Sequence, residues 1–567
     1  MKFPKIAASP NPSAQITQFG GVNRQADARP GEFWNMKNLS SDAYPNLTAR
    51  APRRETGLEA GSGPVQAVIS SGEEFEGFTG IAGGSFYYKG TQIPFEDDTM
   101  QFEGKPFCLA EFNGKIFMAP NMYYYSPDPD PVTGKVVQKV RRMERGYRAV
   151  PAQVYSQGDP QELDNVSNYI QAEMDWAGVF SVGDAVAVTG FSGGMEINNT
   201  RDIDSRTQSA EDARPISAVV EKIETNRLYL QLYNRKGARL VFKNGPLNAS
   251  GQQATLDVIV PVPKMNWICV HLNRLWGTNP NGERIYASKI GDPFNFYTFE
   301  GLATDSWYSE IGTRGGFTGL CSYRDNIVAF KREYIHQVYG DKPSNYSIPK
   351  QLSDCGCMDM RSVCQIGAVL YFLGSGGFYA YTGGQPRLVS EALQKSYQSA
   401  VAMTDGKKYY VSARQQDGGA DFLVLDPDRW LWHQEDDLDA VGFFRAGGRL
   451  YAAAENALYC FGEGEEPVQW MAEFVPLTED STMEKGICDL FIQAELFPGS
   501  RINVLTAVDG NAFTLWSTLE EEGFHTFRVP VRLRKGSRYQ LRLEGEGKIL
   551  LHAVERVIYG GGKRYSR

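Results

Sequence analysis

Val363-Cys364-Gln365-Ile366, the turn at Gly367, Ala368-Val369-Leu370-Tyr371-Phe372 and Gly377-Phe378-Tyr379-Ala380-Tyr381 form one continuous stretch. It contains an apolar strand, a glycine turn, an aromatic-rich strand and a third strand. Apolar and aromatic runs of this length, bounded by Gly, predict β-hairpins. The same unit recurs at Phe107–Phe112 with Asn113-Gly114 and Lys115–Ala119, and at Trp267–Val270 with Asn273–Gly277. Further copies are Thr318–Ser322 with Asp325–Phe330, Ala400–Met403 with Asp405–Tyr410, and Ala440–Phe444 with Gly447–Tyr451. Asn-Gly and Asp-Gly pairs favour two-residue hairpins, whose central residues both need positive φ.

The starts near 267, 318, 363, 400 and 440 lie 37 to 51 residues apart. A four-stranded propeller blade takes roughly 40–50 residues. Third and fourth strands follow within copies, as at Asp421–Asp426 and Trp430–His433. No copy carries a WD dipeptide or a kelch double glycine. The expected fold is all-β: a degenerate multi-bladed β-propeller, with a two-sheet β arrangement as the rival.

Working outward, residues 1–60 read as an extended N-terminal arm broken by turns, which must lie against its own domain or a neighbouring subunit. Residues 61–134 hold the first blades and 263–470 the remaining ones. The 135–262 stretch interrupts them; its hairpin Ala218–Ile223, Thr225-Asn226, Leu228–Tyr233 predicts a small inserted β-barrel or sandwich. Clean alternation from Asp489 to Val557 predicts a C-terminal β-sandwich over 471–567, ending in a basic tail at Lys563-Arg564. A short helix is expected at Ser390–Tyr397, behind a serine cap.

The composition agrees and excludes other classes. The chain has 567 residues, with 59 Gly, 29 Tyr, 31 Phe and 9 Trp, which disfavours a helical bundle. At 42% hydrophobic it is no disordered chain, and its length requires more than one domain. Net charge is -9, against a general nucleic-acid binder. The eight cysteines lie mostly in apolar runs, which suits buried reduced thiols. The N-terminus shows no signal peptide, and no apolar run is long enough for a membrane anchor.

The search for chemistry returns little. None of His271, His336, His433, His525 and His552 stands at i, i+3 or i, i+4 from another. Cys355-x-Cys357 with Cys364 is at most half a metal site, and chance clustering is the better reading. Glu435-Asp436-Asp437 and Asp426-x-Asp428 could supply the carboxylate pair of a glycosidase, although acids beside turns serve Asx turns and caps more often. Tyr125–Pro131 reads as a Pro-rich turn rather than a calcium loop. No catalytic residue, metal or cofactor is expected. The main charge anomaly is the basic segment with Lys135, Lys139, Arg141, Arg142, Arg145 and Arg148. Val136, Val140, Met143 and Tyr147 fall at helical spacing, with cations on the remaining face. Contact with DNA phosphates, a salt-bridged contact with a neighbouring subunit, and a plain solvated face are the three readings.

Phe19-Gly20-Gly21-Val22-Asn23, Gly31–Leu39 and Leu47-Thr48-Ala49-Arg50 resemble the N-terminus of tailed-bacteriophage tail nozzle, tail-hub or packaged-DNA stabilisation proteins of podovirus type. Leu272–Gly277, Arg284–Ser288 and Gly291-Asp292-Pro293-Phe294-Asn295-Phe296 resemble the same family, as does the Val182–Val186 to Asn226 module. The resemblance implies a structural virion protein without catalytic residues, made in the host cytoplasm. It implies a homo-hexameric ring that docks on the adaptor below the portal, near tail fibres or spikes. Such a ring retains packaged double-stranded DNA and conducts it during ejection without sequence specificity. An acidic wall fits a conduit, because it does not hold phosphates. The chain is shorter than the largest nozzles, which leaves its ring position, nozzle or hub, open. The alternative is a carbohydrate-binding or glycan-degrading propeller acting as a receptor-binding component, with Trp307, Tyr308, Trp430 and Trp432 as candidate sugar platforms. A cellular scaffold for protein partners is the third.

Overall fold

The hairpin turns follow the backbone freedom of the residues in them. Asn113 and Gly114, with φ of 50° and 69°, make the two-residue hairpin their sequence requires between Phe112 and Lys115. Asp509 and Gly510, with φ of 50° and 81°, make a tight turn closed by Asn511 N–H to the Val508 carbonyl, inside a longer connection from Thr506 to Thr514. Asp405-Gly406 differs. Thr404 pairs with Tyr409, which leaves a four-residue loop, and the Asp405 carboxylate accepts the Lys407 and Lys408 N–H groups at 2.8 Å. An Asx-type contact has replaced the two-residue turn.

In this computed structural model the described residues are 11–56, 63–72, 74–127, 129, 138–158, 167–189, 200–202, 217–233, 239–242, 252–349, 353, 355–454, 457–479 and 483–560. The fold is all-β, built from many small antiparallel sheets. No helix among the described residues is long and apolar enough to cross a membrane. The chain divides into two compact units, residues 1–77 with 358–567, and residues 78–357. The copies near 107, 267 and 318 belong to the second unit, and those from 363 onward to the first.

In the 78–357 unit, two blades are four-stranded meanders: Cys108–Phe112, Lys115–Ala119, Tyr123–Tyr125 and Arg141–Arg142, then Trp267–His271, Arg274–Thr278, Arg284–Ala287 and Trp307–Glu310. Phe317–Tyr323, Asn326–Lys331 and Ile335–Val338 add a three-stranded one. The leading strands of these three meanders pack side by side, the arrangement of inner strands in a propeller.

The insert is an eight-stranded sheet that closes on itself. Ala187–Thr189 pairs with Gln252–Val260, while the residues just before it, Asp184 to Val186, bond the Ser217–Glu224 strand. Alternate residues Val150, Ala152, Val154, Ile170, Leu228, Leu230, Leu256 and Val258 fill the interior. The expected small barrel is present. The helical spacing noted in the basic segment makes no helix among the described residues: Arg141–Arg142 is an edge strand of a blade and Arg145–Gln157 a long strand of the barrel. Its Val150, Ala152 and Val154 alternate with exposed residues, and this period of two overrides the helical spacing upstream. Residues 130–137 of that segment lie outside the described residues.

In the other unit, Cys364–Ile366 to Arg387–Leu388 and Tyr397–Thr404 to Leu431–Gln434 are four-stranded blades. A third consists of Gly442–Ala446, Arg449–Ala454 and Ala457–Phe461, and its fourth strand is Arg53–Glu55 from the N-terminal segment. Of the two supports expected for the arm, its own domain supplies strand partners. Ser13–Ile16 pairs with Ile549–Gly560, and Phe33–Lys37 with Gln469–Phe474. These strands complete a two-sheet terminal sandwich, of six and five strands, which reaches back to Gln469 rather than starting at 471. Phe19, Phe33 and Phe474 cluster in its core, with ring centroids 4.9 to 6.5 Å apart. Burial of each such ring contributes about 1.5–3 kcal/mol. The expected helix at Ser390 shrinks to a single 3₁₀ turn, Glu391–Leu393. Its serine hydroxyl accepts the Phe378 N–H instead of capping the turn. The basic tail beyond Gly560 lies outside the described residues.

Candidate functional site

The acidic cluster is built by the end of the Leu431–Gln434 strand. Glu435 N–H donates to the Phe422 carbonyl, Phe422 N–H to the Asp436 carbonyl, and Asn38 N–H to the Glu435 carbonyl. This fixes two adjacent carboxylates against the N-terminal segment. Arg53 contacts Glu435 and lies 2.8 Å from Asp436. Arg50 stands 3.4 Å from Glu435 and 3.2 Å from Asp436. The rings of Phe422 and Phe461 flank the Arg53 guanidinium at 4.4 and 4.8 Å. Burial pushes the Glu435 carboxyl up, and Arg53 and Arg50 oppose that shift. Two cations therefore neutralise two acids, and the cluster ties the arm to its blade. Asp437 is exposed. Asp426 is buried and accepts Ser41 Oγ at 2.7 Å and Arg429 at 2.9 Å, whereas Asp428 is exposed.

A buried acid that the sequence reading passed over is Asp421. It accepts Lys395 Nζ, Tyr397 Oη, Gln415 Nε2 and Gln434 Nε2 at 2.8 to 3.1 Å. Its only sequence signal is one acid at the head of an apolar strand. The histidines are structural in the same way. Burial lowers His433 to about 4, with Nδ1 3.3 Å from Met36 Sδ, and lowers His336 to about 4, beside Thr313 Oγ1 at 2.8 Å. Burial raises the Cys108 thiol to about 11 and the Cys321 and Cys364 thiols to about 12, so these are not thiolates. Among the described residues, no three His, Cys, Asp or Glu side chains are grouped to hold a metal ion. Of the turn expected at Tyr125–Pro131, Asp128, Asp130 and Pro131 lie outside the described residues.

The basic segment is spread out and mostly paired within the chain. Arg141 lies 3.7 Å from Glu96, Arg142 3.6 Å from Asp97, and Arg148 2.7 Å from Glu144. Arg145 grips both oxygens of Asp184 at 2.6 and 2.7 Å. Lys139 is exposed, and Lys135 lies outside the described residues. Arg141 and Arg142 stand on an edge strand of a blade, and Arg145 and Arg148 on a strand of the barrel.

Arg145 leads to the centre of the 78–357 unit's organisation. Asp184 also accepts Ser181 N–H at 2.8 Å, and Asn295 Nδ2 approaches it at 3.4 Å. Asn295 is 1% exposed, and its Oδ1 accepts the Ala185 N–H at 2.9 Å. Asp292 accepts the Phe294 N–H at 3.1 Å, which forms the turn that presents Asn295. Phe294 in turn lies 5.5 Å under the Arg145 guanidinium. The Gly291–Asn295 turn thus bolts the insert, through Asp184, onto its blade. Arg274 is fully buried and donates to the carbonyls of Ser288, Ala303 and Asp305. A Cβ on Gly277 would stand 2.0 Å from Met265 Sδ.

The other unit repeats the principle. Val22 N–H donates to the Trp432 carbonyl at 2.7 Å. A Cβ on Gly21 would meet that same carbonyl oxygen at 2.2 Å, so this close approach requires glycine. Of the candidate sugar platforms, Trp432 is buried, and Trp307 packs on Trp276 and Tyr346. Tyr308 and Trp430 are exposed, and Arg387 lies 5.0 Å over the Trp430 ring. A groove of about 580 Å³ on the insert is lined by Pro151, Gln153, Gln171, Glu173, Asn226 and Thr255, among others. A smaller one of about 330 Å³ lies on the terminal sandwich between Lys37, Asn503 and Glu544.

No family model matches this sequence, and no curated protein matches it. Among solved structures, the chain is similar to an exo-β-1,3-galactanase from Phanerochaete chrysosporium at 9% identity and a TM-score of 0.20, over 49% of this chain and 92% of that one. It is similar to a Trypanosoma rangeli sialidase at 8% identity and a TM-score of 0.21, over 82% and 94% of the two chains. A glycoside hydrolase family 43 arabinoxylan arabinofuranohydrolase from Bacillus subtilis matches at 10% identity and a TM-score of 0.17, over 80% and 95%. Values of this size assign this chain neither an activity nor a substrate.

Proposed function

We propose that the chain is a non-catalytic structural protein of a short phage tail, a subunit of a hexameric nozzle or hub ring that docks on the portal adaptor and retains and conducts packaged DNA. The observation that carries this reading is the use made of its motifs. In one unit Phe19–Asn23 fastens the arm to its blade, in the other Gly291–Asn295 fastens the insert to its blade, and the Glu435 and Asp436 carboxylates are taken up by Arg50 and Arg53. A net charge of -9, with Arg141, Arg142, Arg145 and Arg148 of the basic segment already paired, suits a wall that DNA passes without adhering. Sedimentation of the purified chain tests the proposal. A species of six copies supports it; a monomer at every concentration that hydrolyses glycans overturns it.

A second reading, a receptor-binding component that engages glycans, is favoured by one feature, the groove on the insert.

A further inference from the structure

The outer face of the insert barrel sets like residues in rows. Gln153 pairs across the sheet with Gln253 on one side and Gln171 on the other, and Gln171 pairs with Arg227. One step along the same strands, Tyr155 pairs with Tyr169, and Tyr169 with Tyr229. Interior positions alternate with these, so both rows point away from the barrel core. Neighbouring strands lie about 4.8 Å apart, and the three amides therefore repeat at that interval.

The tyrosine row is stiff. Tyr155 and Tyr169 stack with centroids 4.7 Å apart, Tyr169 and Tyr229 lie at 5.1 Å, and the Arg227 guanidinium sits 5.0 Å over Tyr169. Tyr155 Oη donates to Gln153 Oε1 at 2.5 Å, and Arg227 Nε donates to Gln171 Oε1 at 3.3 Å. These bonds hold two amide oxygens to the face. Among the described residues, the NH₂ groups of Gln153 and Gln171 have no partner. The groove of about 580 Å³ begins at this amide row and continues past Thr255, Asn226 and Glu173. That volume falls in the usual range for a ligand site, about 300–1,000 Å³.

The chemistry of the lining selects the ligand class. Amides, a hydroxyl and a carboxylate offer donors and acceptors together, which matches groups that also do both, namely sugar hydroxyls. The charges disfavour an anion. Glu173 is the one charged residue among those that line the groove, and the nearby Lys222 is held by Glu224 at 2.5 Å. A phosphate backbone or a polyuronate would meet net repulsion. The braced amides lower the ordering cost of binding.

We propose that this face binds a neutral oligosaccharide, with Gln153 and Gln171 as its principal donors. The proposal rests on the glycan-binding reading and is independent of the ring. Calorimetric titration of the full chain with neutral gluco-, manno- and galacto-oligosaccharides, with a uronate oligomer as the charged control, tests it. Saturable binding to at least one neutral oligomer and none to the uronate is expected. The double variant Gln153→Ala, Gln171→Ala should weaken that binding about tenfold or more, with an unchanged melting temperature. No saturable binding across the neutral panel, preference for the uronate, or undiminished affinity of the double variant would overturn it. A monomer that binds the neutral oligomer defeats the ring and leaves this site standing; a six-fold ring without binding does the reverse.

Discussion

Arg53 and Asp436 meet at 2.8 Å across 383 residues of sequence. Together with Arg50 and Glu435 they join the N-terminal segment to the blade beside it. Arg53 and Glu435 are 7% and 8% exposed at their side chains, so either partner left alone is a buried, uncompensated charge. Arg53→Ala should cost about 3 kcal/mol in urea unfolding. Glu435→Gln keeps a hydrogen-bond acceptor and should cost less. If Glu435 served catalysis instead, Glu435→Gln would abolish an activity and leave stability untouched.

Acid should weaken the fold before the carboxylates titrate. Burial lowers His433 and His336 to about 4 from an ordinary 6.5. The unfolded chain binds those protons first, so the stability is complete above pH 6.5 and is lost as pH falls from there through 4. Each histidine accounts for about 3 kcal/mol over that window. His433→Leu should flatten the decline of the urea midpoint between pH 6.5 and 4; an unchanged slope would count against a buried neutral His433.

The Arg145–Asp184 pair predicts how the insert is held. Asp184→Ala removes the acceptor that Arg145 and Ser181 share, and weakens the approach of Asn295. Hydrogen exchange in the Val182–Val188 stretch should accelerate by at least about tenfold, a loss near 1.4 kcal/mol. The interior amides of the barrel should keep their protection.

Two glycine substitutions should separate by mechanism. Gly21→Ala forces a Cβ against the Trp432 backbone, which cannot yield cheaply, whereas Gly277→Ala meets the flexible end of Met265. Thermal unfolding should show a loss of about 3 kcal/mol or more for the first and a smaller one for the second.

Arg142 and Arg148 are half-exposed but already paired with acids. Arg142→Gln with Arg148→Gln should leave duplex DNA binding, measured by fluorescence anisotropy at physiological salt, as weak as in the parent chain. A marked loss of affinity would restore the segment as a DNA contact.

The hairpins, the blade spacing, the insert and the sandwich were legible because each rests on local periodicity and on turn residues such as Asn113-Gly114 and Asp509-Gly510. The basic segment misled because Tyr147, the last of its residues at helical spacing, belongs to the Arg145–Gln157 strand, where Val150, Ala152 and Val154 keep a period of two. What the arm lies against was not legible, because its partners, such as Tyr459 for Glu55 and Val557 for Ser13, lie hundreds of residues away. The same distance hid the function of Glu435. Its neighbours in sequence are acids, and its neighbours in space are arginines.

The most direct measurement of the central claim is a cryo-EM map of the purified chain or of tails that contain it. A six-fold ring is expected, in which each subunit keeps the Arg53–Asp436 and Arg145–Asp184 pairs. Single, unassembled subunits with an open acidic cleft at Glu435 and Asp436 would contradict it.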